Sequence, residues 1–383
     1  MKVILTVGRY FKQRFGQKVR KIPISLSGFT CPNIDGTVAK GGCIYCKNES
    51  FSPSLVMKKK SNSNNDISLD SKIHDTQKIT WNLSPQGKSL QNELQEKLNS
   101  HSTKFSNLNK QNNTSQLTYK NNTLPRITMN PKLTNNPLLE HQLRELESQF
   151  NYHSAYHKNK FGISKYLVYF QSFTNTYAPF DTLKKLYTKA LSFPDVIGMS
   201  IGTRVDCVDS NLLEFLAEFV KQDKEIWLEY GIQSIYEETL EITNRGHTMQ
   251  GVKELFKETR KHGIKVCAHL IYGLPNESVD MMLNSLKTIL EYGVDSLKIH
   301  PLYVVEGTAL ARMYKKGQYN PISLEEYGEA IVKSLKIIPP NVVMQRVSAG
   351  AHDESLLAPK WCFDKNIQMR YLRERLKQEG IEY

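Results

Sequence analysis

The sequence predicts an α/β protein: a partial (β/α)6 barrel, TIM-like, with a C-terminal extension and a long disordered insertion. Two observations predict it. From Tyr166 onward, short runs rich in β-branched and aromatic residues alternate with segments whose apolar residues recur at helical spacing. In addition, each chemistry-bearing motif in that half follows a strand-like run, where the loops at the C-terminal end of a parallel sheet gather.

Taken in order, the first strand is expected at residues 22–27, and a cysteine-rich loop follows it to about Ser54. From 55 to 136 Asn, Ser, Lys, Gln and Thr dominate, as in SNSNND and NKQNNTSQ. Such a stretch buries too little apolar surface to offset its ordering entropy, so it is expected to be a disordered insertion. Loop-closure entropy tolerates an insertion of this length at modest cost. Order is expected to resume at 137–150 with a first crossover helix. Strands follow at 166–170, 196–201, 226–231, 264–272 and 296–303, with helices at 180–191, 211–221, 249–262, 278–292 and 323–335. The chain thus divides into 1–54 (first strand and cysteine loop), 55–136 (insertion), 137–320 (rest of the barrel) and 321–383 (a helical extension).

The formal net charge is +13 and the pI near 9.2. Residues 56–136 hold 12 Lys and Arg against 5 Asp and Glu, so about half of the excess lies in the insertion. The charge therefore fits either an RNA partner or a solvated insertion. No run approaches the roughly 18 apolar residues of a membrane span, so no membrane association is expected. The opening MKVILTVGRYFKQRF lacks a long apolar core and a small-residue cleavage site, which predicts a cytoplasmic protein. In that reducing compartment, six cysteines with three packed into 16 residues point to a metal site and not to disulfides.

Those three, Cys31, Cys43 and Cys46, have the spacing C-x11-C-x2-C. Structural zinc takes four closed ligands, whereas an iron–sulfur cluster on three cysteines leaves one iron open. The alternative is a zinc loop completed by a distant His or Cys. Against it, His74 and His101 fall in the insertion, His153 and His157 lie far beyond zinc-finger spacing, and no second C-x2-C exists. Gly36, Gly41 and Gly42 let the loop wrap closely round a bulky group, and Tyr45 is placed to shield it.

The ordered series GFTCPNIDG, YFQSFTNTYAP, SIGTRVDC, LEYGIQS, NRGHT, AHLIYGLPNES and KIHPLYVVEGT resembles the YhcC-type radical S-adenosylmethionine (SAM) subfamily, related to the Elongator catalytic-subunit group. The match spans about 10–54 and 164–365, departing at Ile34 and Val205, where the family usually has Arg and Pro. The resemblance implies one [4Fe-4S] cluster on Cys31, Cys43 and Cys46, with S-adenosyl-L-methionine chelated to the open iron. It also implies reductive cleavage of SAM to a 5′-deoxyadenosyl radical, with an electron donor such as flavodoxin or ferredoxin. Cys207, Cys267 and Cys362 are too scattered for a second cluster and are read as small buried side chains.

For SAM, the candidates are Gln171 and Asn175 at the methionine amino group, with turn-backbone satisfaction as the alternative. Arg204 is a candidate for a carboxylate or the ribose, or else a structural partner of Asp206. By resemblance to the GxQS strand Gln233 reaches SAM, and Arg245 offers a bidentate fork to its carboxylate. Gly273, in the GLP turn, implies backbone binding of adenine. His247, Lys298, His300 and Tyr303 are candidates for contact with substrate, although Lys298 and His300 could instead pair with Glu229 or Asp295. Gln345, Arg346, Trp361 and Lys365 lie in a tail expected to cover the barrel opening. The Elongator resemblance and the basic charge together suggest tRNA, at a wobble-uridine side chain, as substrate. The other readings are a small molecule, tetrapyrrole or peptide, and a non-catalytic zinc-binding RNA-interaction protein.

Overall fold

The computed structural model describes residues 1–47, 127–351 and 354–383. Most of the stretch expected to be an insertion, with His74 and His101, lies outside the described residues. In chain order the strands are β1 (Lys2–Val3), β2 (Arg20–Ile24), β3 (Tyr166–Phe170), β4 (Val196–Thr203), β5 (Glu225–Gln233), β6 (Lys265–Tyr272) and β7 (Ser296–Pro301). They continue with β8 (Val304–Val305), β9 (Val343–Arg346), β10 (Leu356–Ala358) and β11 (Ile381–Glu382). Seven form one parallel sheet in the order β2-β3-β4-β5-β6-β7-β9.

The partial barrel is therefore as expected, but its sheet has seven strands where six were foreseen. The seventh, β9, falls in the segment read as a helical extension. It has only four residues, Val-Met-Gln-Arg, too short to display a period of two before its polar end. The first crossover helix also runs further than expected, over Leu139–Phe161. Its apolar stripe ends at Phe150, stacked on Phe193 at 4.4 Å, and beyond it the buried face is made by His153 and His157. Gly162, in the left-handed conformation, ends it.

Alternation along the strands sorts the side chains between the helices and the barrel interior. Val168, Phe170, Met199, Ile201, Leu228, Tyr230, Ala268, Leu270, Leu297 and Ile299 join the apolar layer under the helices. Their neighbours line the interior in tiers. At the N-terminal end Leu167, Trp227, Cys267 and Val343 pack against Phe11 of the helix Val7–Phe15. That helix plugs the end of the barrel, and burying Phe11 contributes roughly 2–3 kcal/mol. The next tier is charged and contains Lys21, Glu229, His269 and Lys298. Across the gap between the edge strands β2 and β9, Lys21 Nζ donates to Gln345 Oε1 at 2.5 Å. β1 pairs with β11, which ties the two ends of the chain together. Among the described residues no helix is long and apolar enough to cross a membrane.

Candidate active site

The cysteine loop leaves the C-terminal end of β2 and is held by a segment some 200 residues away in sequence. Cys31 caps the four-residue helix Pro32–Asp35. The side chain of Asn33, fully buried, donates to the carbonyls of Asn244 and Arg245 at 2.7 and 2.6 Å. In return Asn244 Nδ2 donates to the carbonyls of Lys40 and Gly42 at 3.0 and 2.7 Å, and Ile44 N to Thr243 O at 3.1 Å. The Asn-Arg-Gly segment is thus the back wall of the cysteine loop.

Three nitrogen donors approach the sulfurs: Asn33 Nδ2 lies 3.6 Å and Arg245 Nη1 3.7 Å from Cys43 Sγ, and Arg204 Nη1 lies 3.9 Å from Cys31 Sγ. A contact from Cys46, reinforced by the guanidinium groups of Arg245 and Arg204, holds the Cys43 thiol well below its ordinary pKa. This donor set suits thiolates held in a shared cluster. Thiolates around one tetrahedral zinc sit roughly 3.8 Å apart, from a Zn–S bond of about 2.3 Å. Among the described residues, the only set of three metal-type ligands mutually within 4.8 Å is Glu229, Cys267 and His269, not these cysteines. The three-sulfur loop with its surrounding N–H donors fits the donor set of an iron–sulfur cluster.

Above the charged tier a cavity of about 200 Å³ opens beside Cys46 and Tyr45. Gln171, Gln233, His300 and Tyr303, four of the residues singled out from the sequence, line it together. Gln233 is aimed by a bulge. The pairing with β6 shifts register between Gly231 and Gln233, and Gln233 takes φ 74°. A Cβ on Gly231 would come within 2.7 Å of Arg245 Nη2 and 2.9 Å of Gln233 Nε2, so the glycine makes room for both. His300 Nε2 is buried without a partner among the described residues, and burial, then Arg346, hold its imidazole neutral.

Other candidates sit differently. Arg245 is buried behind the sulfurs, with Nη2 donating to Gly231 O at 2.5 Å and Nε without a partner among the described residues. Arg204 spends its guanidinium on Asp206 (2.7 Å twice), on the carbonyls of Arg245 and Gly246, and on Cys31, so it braces the loop and has no fork left for a ligand. Asn175 Nδ2 is likewise taken, by the carbonyls of Phe170 and Gly202 at 3.1 and 3.0 Å. His247 faces another cavity, with Val205, Asp206 and Leu255. Burial, then Arg245 and Arg204, lower it to about 3, which leaves no proton to give near neutrality.

Gly273 has a packing reason for being glycine: a Cβ there would meet Ile322 at 2.7 Å, while its carbonyl accepts from Tyr319 at 2.8 Å. Lys298 is drawn beneath the cavity by Glu229 and donates to Tyr169 Oη at 3.1 Å. This is the Glu229 pairing foreseen as the alternative. Cys207 lies beside Asp206, Cys267 in the barrel floor and Cys362 in the buried turn Lys360–Cys362.

Glu229, part of LEYGIQS and foreseen only as an alternative partner for Lys298 or His300, is the hub of the charged tier. Its fully buried carboxylate accepts from Lys21 (2.6 Å), Ser200 (2.5 Å), His269 (3.0 Å) and Lys298. Burial pushes its pKa up, but Lys21 and Lys298, with His269, more than offset this and hold it well below the usual carboxylate value. Burial lowers Lys21 to about 8 and His269 to about 4. With two lysines on its oxygens, the Glu229, Cys267 and His269 group is a salt-bridge centre and not a cation site. Asn33 was missed. It is the third residue of a loop whose glycines and cysteines drew attention, and only the fold reveals its partners.

A parallel half-barrel with a three-cysteine loop at its C-terminal rim is the arrangement that the radical SAM resemblance implied. Residues 140–289 match the Radical SAM superfamily and residues 294–378 the Radical_SAM C-terminal domain. The chain belongs to the radical SAM family that contains Protein YhcC of Escherichia coli (strain K12), to which it is 30% identical over 381 residues, covering 100% of this chain and 94% of that protein. It is 38% identical to the uncharacterized protein MJ0486 of Methanocaldococcus jannaschii, over 64% of this chain and 74% of that one. To Elongator complex protein 3 of Homo sapiens it is 32% identical, over 50% of this chain and 36% of that one. Among solved structures, the archaeal Methanocaldococcus infernus Elp3 with an N-terminal deletion shares the fold, with a TM-score of 0.51 and 20% identity over 63% of this chain and 61% of that chain. Membership implies a [4Fe-4S] cluster, SAM and a source of electrons.

Proposed function

We propose that Cys31, Cys43 and Cys46 hold a single [4Fe-4S] cluster and that SAM occupies the cavity beside Cys46. The observation that carries this is the convergence of three sulfurs, three N–H donors and a cavity lined by Gln171 and Gln233 at one rim of the barrel. Held by these three cysteines, such a cluster would supply one electron for the reductive cleavage of SAM to methionine and a 5′-deoxyadenosyl radical. The chain's own part is positioning and shielding. Arg245 and Asn33 direct N–H groups at the sulfurs, Arg204 braces the loop, and Gln171 and Gln233 offer amides to the SAM methionine or ribose. Tyr303 and His300 face the substrate, with His300 as a neutral hydrogen-bonding group.

For substrate, the reading is a tRNA wobble-uridine side chain. It is supported by the 32% identity to Elongator complex protein 3 over 50% of this chain and by the basic charge. The electron donor is a flavodoxin or ferredoxin, and the compartment the cytoplasm. Anaerobic reconstitution tests the cofactor: about four iron and four sulfide per chain, with dithionite-dependent release of 5′-deoxyadenosine, are expected, and one zinc with no cleavage would sink it. Mass spectrometry of tRNA nucleosides from a deletion strain tests the substrate, an unchanged wobble-uridine profile removing it.

A further inference from the structure

The charges around the cavity do not balance. Among the described residues its lining contains two cations, Arg346 at the end of β9 and Lys365 at the start of the helix Lys365–Gln378, and no carboxylate. Neither cation has an ion-pair partner among the described residues. The tier beneath cannot serve them, because its one carboxylate, Glu229, is already shared by Lys21, Lys298 and His269. Among the described residues, the cavity and the tier beneath it thus gather four cations against one acid. Arginine cannot relieve this by losing its proton. Burial, then Arg346, lower Lys365 to about 8, which still leaves it charged near neutrality.

His300 lines the same cavity, and its buried Nε2 has no partner among the described residues. Arg346 is opposite Lys298 in the register of β7 and β9, so this corner lies on the β7–β9 side of the mouth. Gln233, on β5, lies on another side. Arg346 and Lys365 are only partly buried, and cations left without an ion-pair partner beside a cavity offer their charge to an anionic ligand.

We propose that Arg346, Lys365 and His300 form an oxyanion subsite, which seats a carboxylate or phosphate of the substrate and turns the remainder of that molecule toward Cys46. The inference rests on the proposed reading of this cavity as the SAM and substrate site. The guanidinium supplies the planar two-point contact, the ammonium a point charge, and the imidazole a neutral hydrogen bond that does not compete for charge.

The test uses the full chain, reconstituted anaerobically, and calorimetric titration with inorganic phosphate and, separately, malonate. Arg346→Gln and Lys365→Gln are each expected to weaken one or both anions at least tenfold. Lys257→Gln with Lys261→Gln, in the basic cavity at the start of β6, should change neither. Iron content and affinity for SAM should stay within twofold in every variant.

Equal anion affinity in the wild type and both cavity variants overturns the subsite. A second overturning result is a loss of SAM affinity in Arg346→Gln that is absent with decarboxylated SAM, since the anion would then be SAM's own carboxylate. Because Lys365 starts a helix on the surface side, Lys365→Gln keeps the test readable if Arg346→Gln misfolds. Absent iron or SAM cleavage in the wild type would count against the proposed function alone, because the anion titrations read independently of it.

Discussion

Replacing Glu229 by Gln changes one oxygen for an amide nitrogen and removes the sole negative charge among Lys21, Lys298 and His269. Volume is conserved, so the loss is electrostatic. Removing one partner of a buried ion pair costs about 3–5 kcal/mol. Two features bound it here: the amide oxygen still accepts a hydrogen bond, and Lys21, already lowered to about 8, can shed its proton. We expect a loss of about 3 kcal/mol at pH 7, measured by urea unfolding of the full chain followed by tryptophan fluorescence.

The pH dependence carries the sign. In the variant both lysines have folded-state pKa values further below their unfolded 10.5, a penalty largest in the neutral range that fades as pH rises toward 10.5. On the acid side, Glu229 in the wild type has a depressed pKa. Its contribution is therefore present above about 4.5 and lost as pH falls through the folded value. The gap between the two proteins should be widest between about pH 5 and 8 and shrink at pH 9.5. A gap below about 1 kcal/mol at pH 7, or one unchanged at pH 9.5, would refute the network as described.

Single substitutions of Cys31, Cys43 or Cys46 by Ser should lower iron after reconstitution and abolish SAM cleavage, while Cys207→Ser, Cys267→Ser and Cys362→Ser should keep both, as read by iron analysis and 5′-deoxyadenosine release. Gly231→Ala brings a methyl within 3 Å of Arg245 and Gln233, and should weaken SAM binding about tenfold or more with iron retained, checked by calorimetry. His247 lies near 3 and holds only backbone carbonyls, so His247→Gln should leave the pH profile of SAM cleavage between 5 and 8 unshifted. Asn33→Ala removes two hydrogen bonds between the cysteine loop and the Asn-Arg-Gly segment, and should speed loss of cluster absorbance in air several-fold.

Much of the fold was legible because amphipathic helices write a strong helical period and the buried strands stand out as short apolar, β-branched and aromatic runs between them. The strand Tyr166–Phe170 and the helix Phe180–Leu191 lie at the residues expected of them. β9 was not legible, since four residues hold no period, and neither was the second half of the helix Leu139–Phe161, where buried histidines replace apolar residues.

At the site, the sequence by itself determined which residue types were on offer: three cysteines at cluster spacing, amides and arginines after successive strands, and the order that marks a radical SAM chain. Local chemistry decides these, so local reading finds them. Folding then sorts those side chains between the opening and other places in the barrel. Arg204 and Asn175 are consumed by carbonyls and by Asp206, Lys298 by Glu229, and His247 by a different cavity. Gln171, Gln233, His300 and Tyr303 are gathered around one opening, joined there by Arg346 and Lys365 from the chain's last third. The reason is physical: a buried polar group must be satisfied by whatever the fold brings within about 3 Å. That partner is set by strand order and register, which no window of sequence contains.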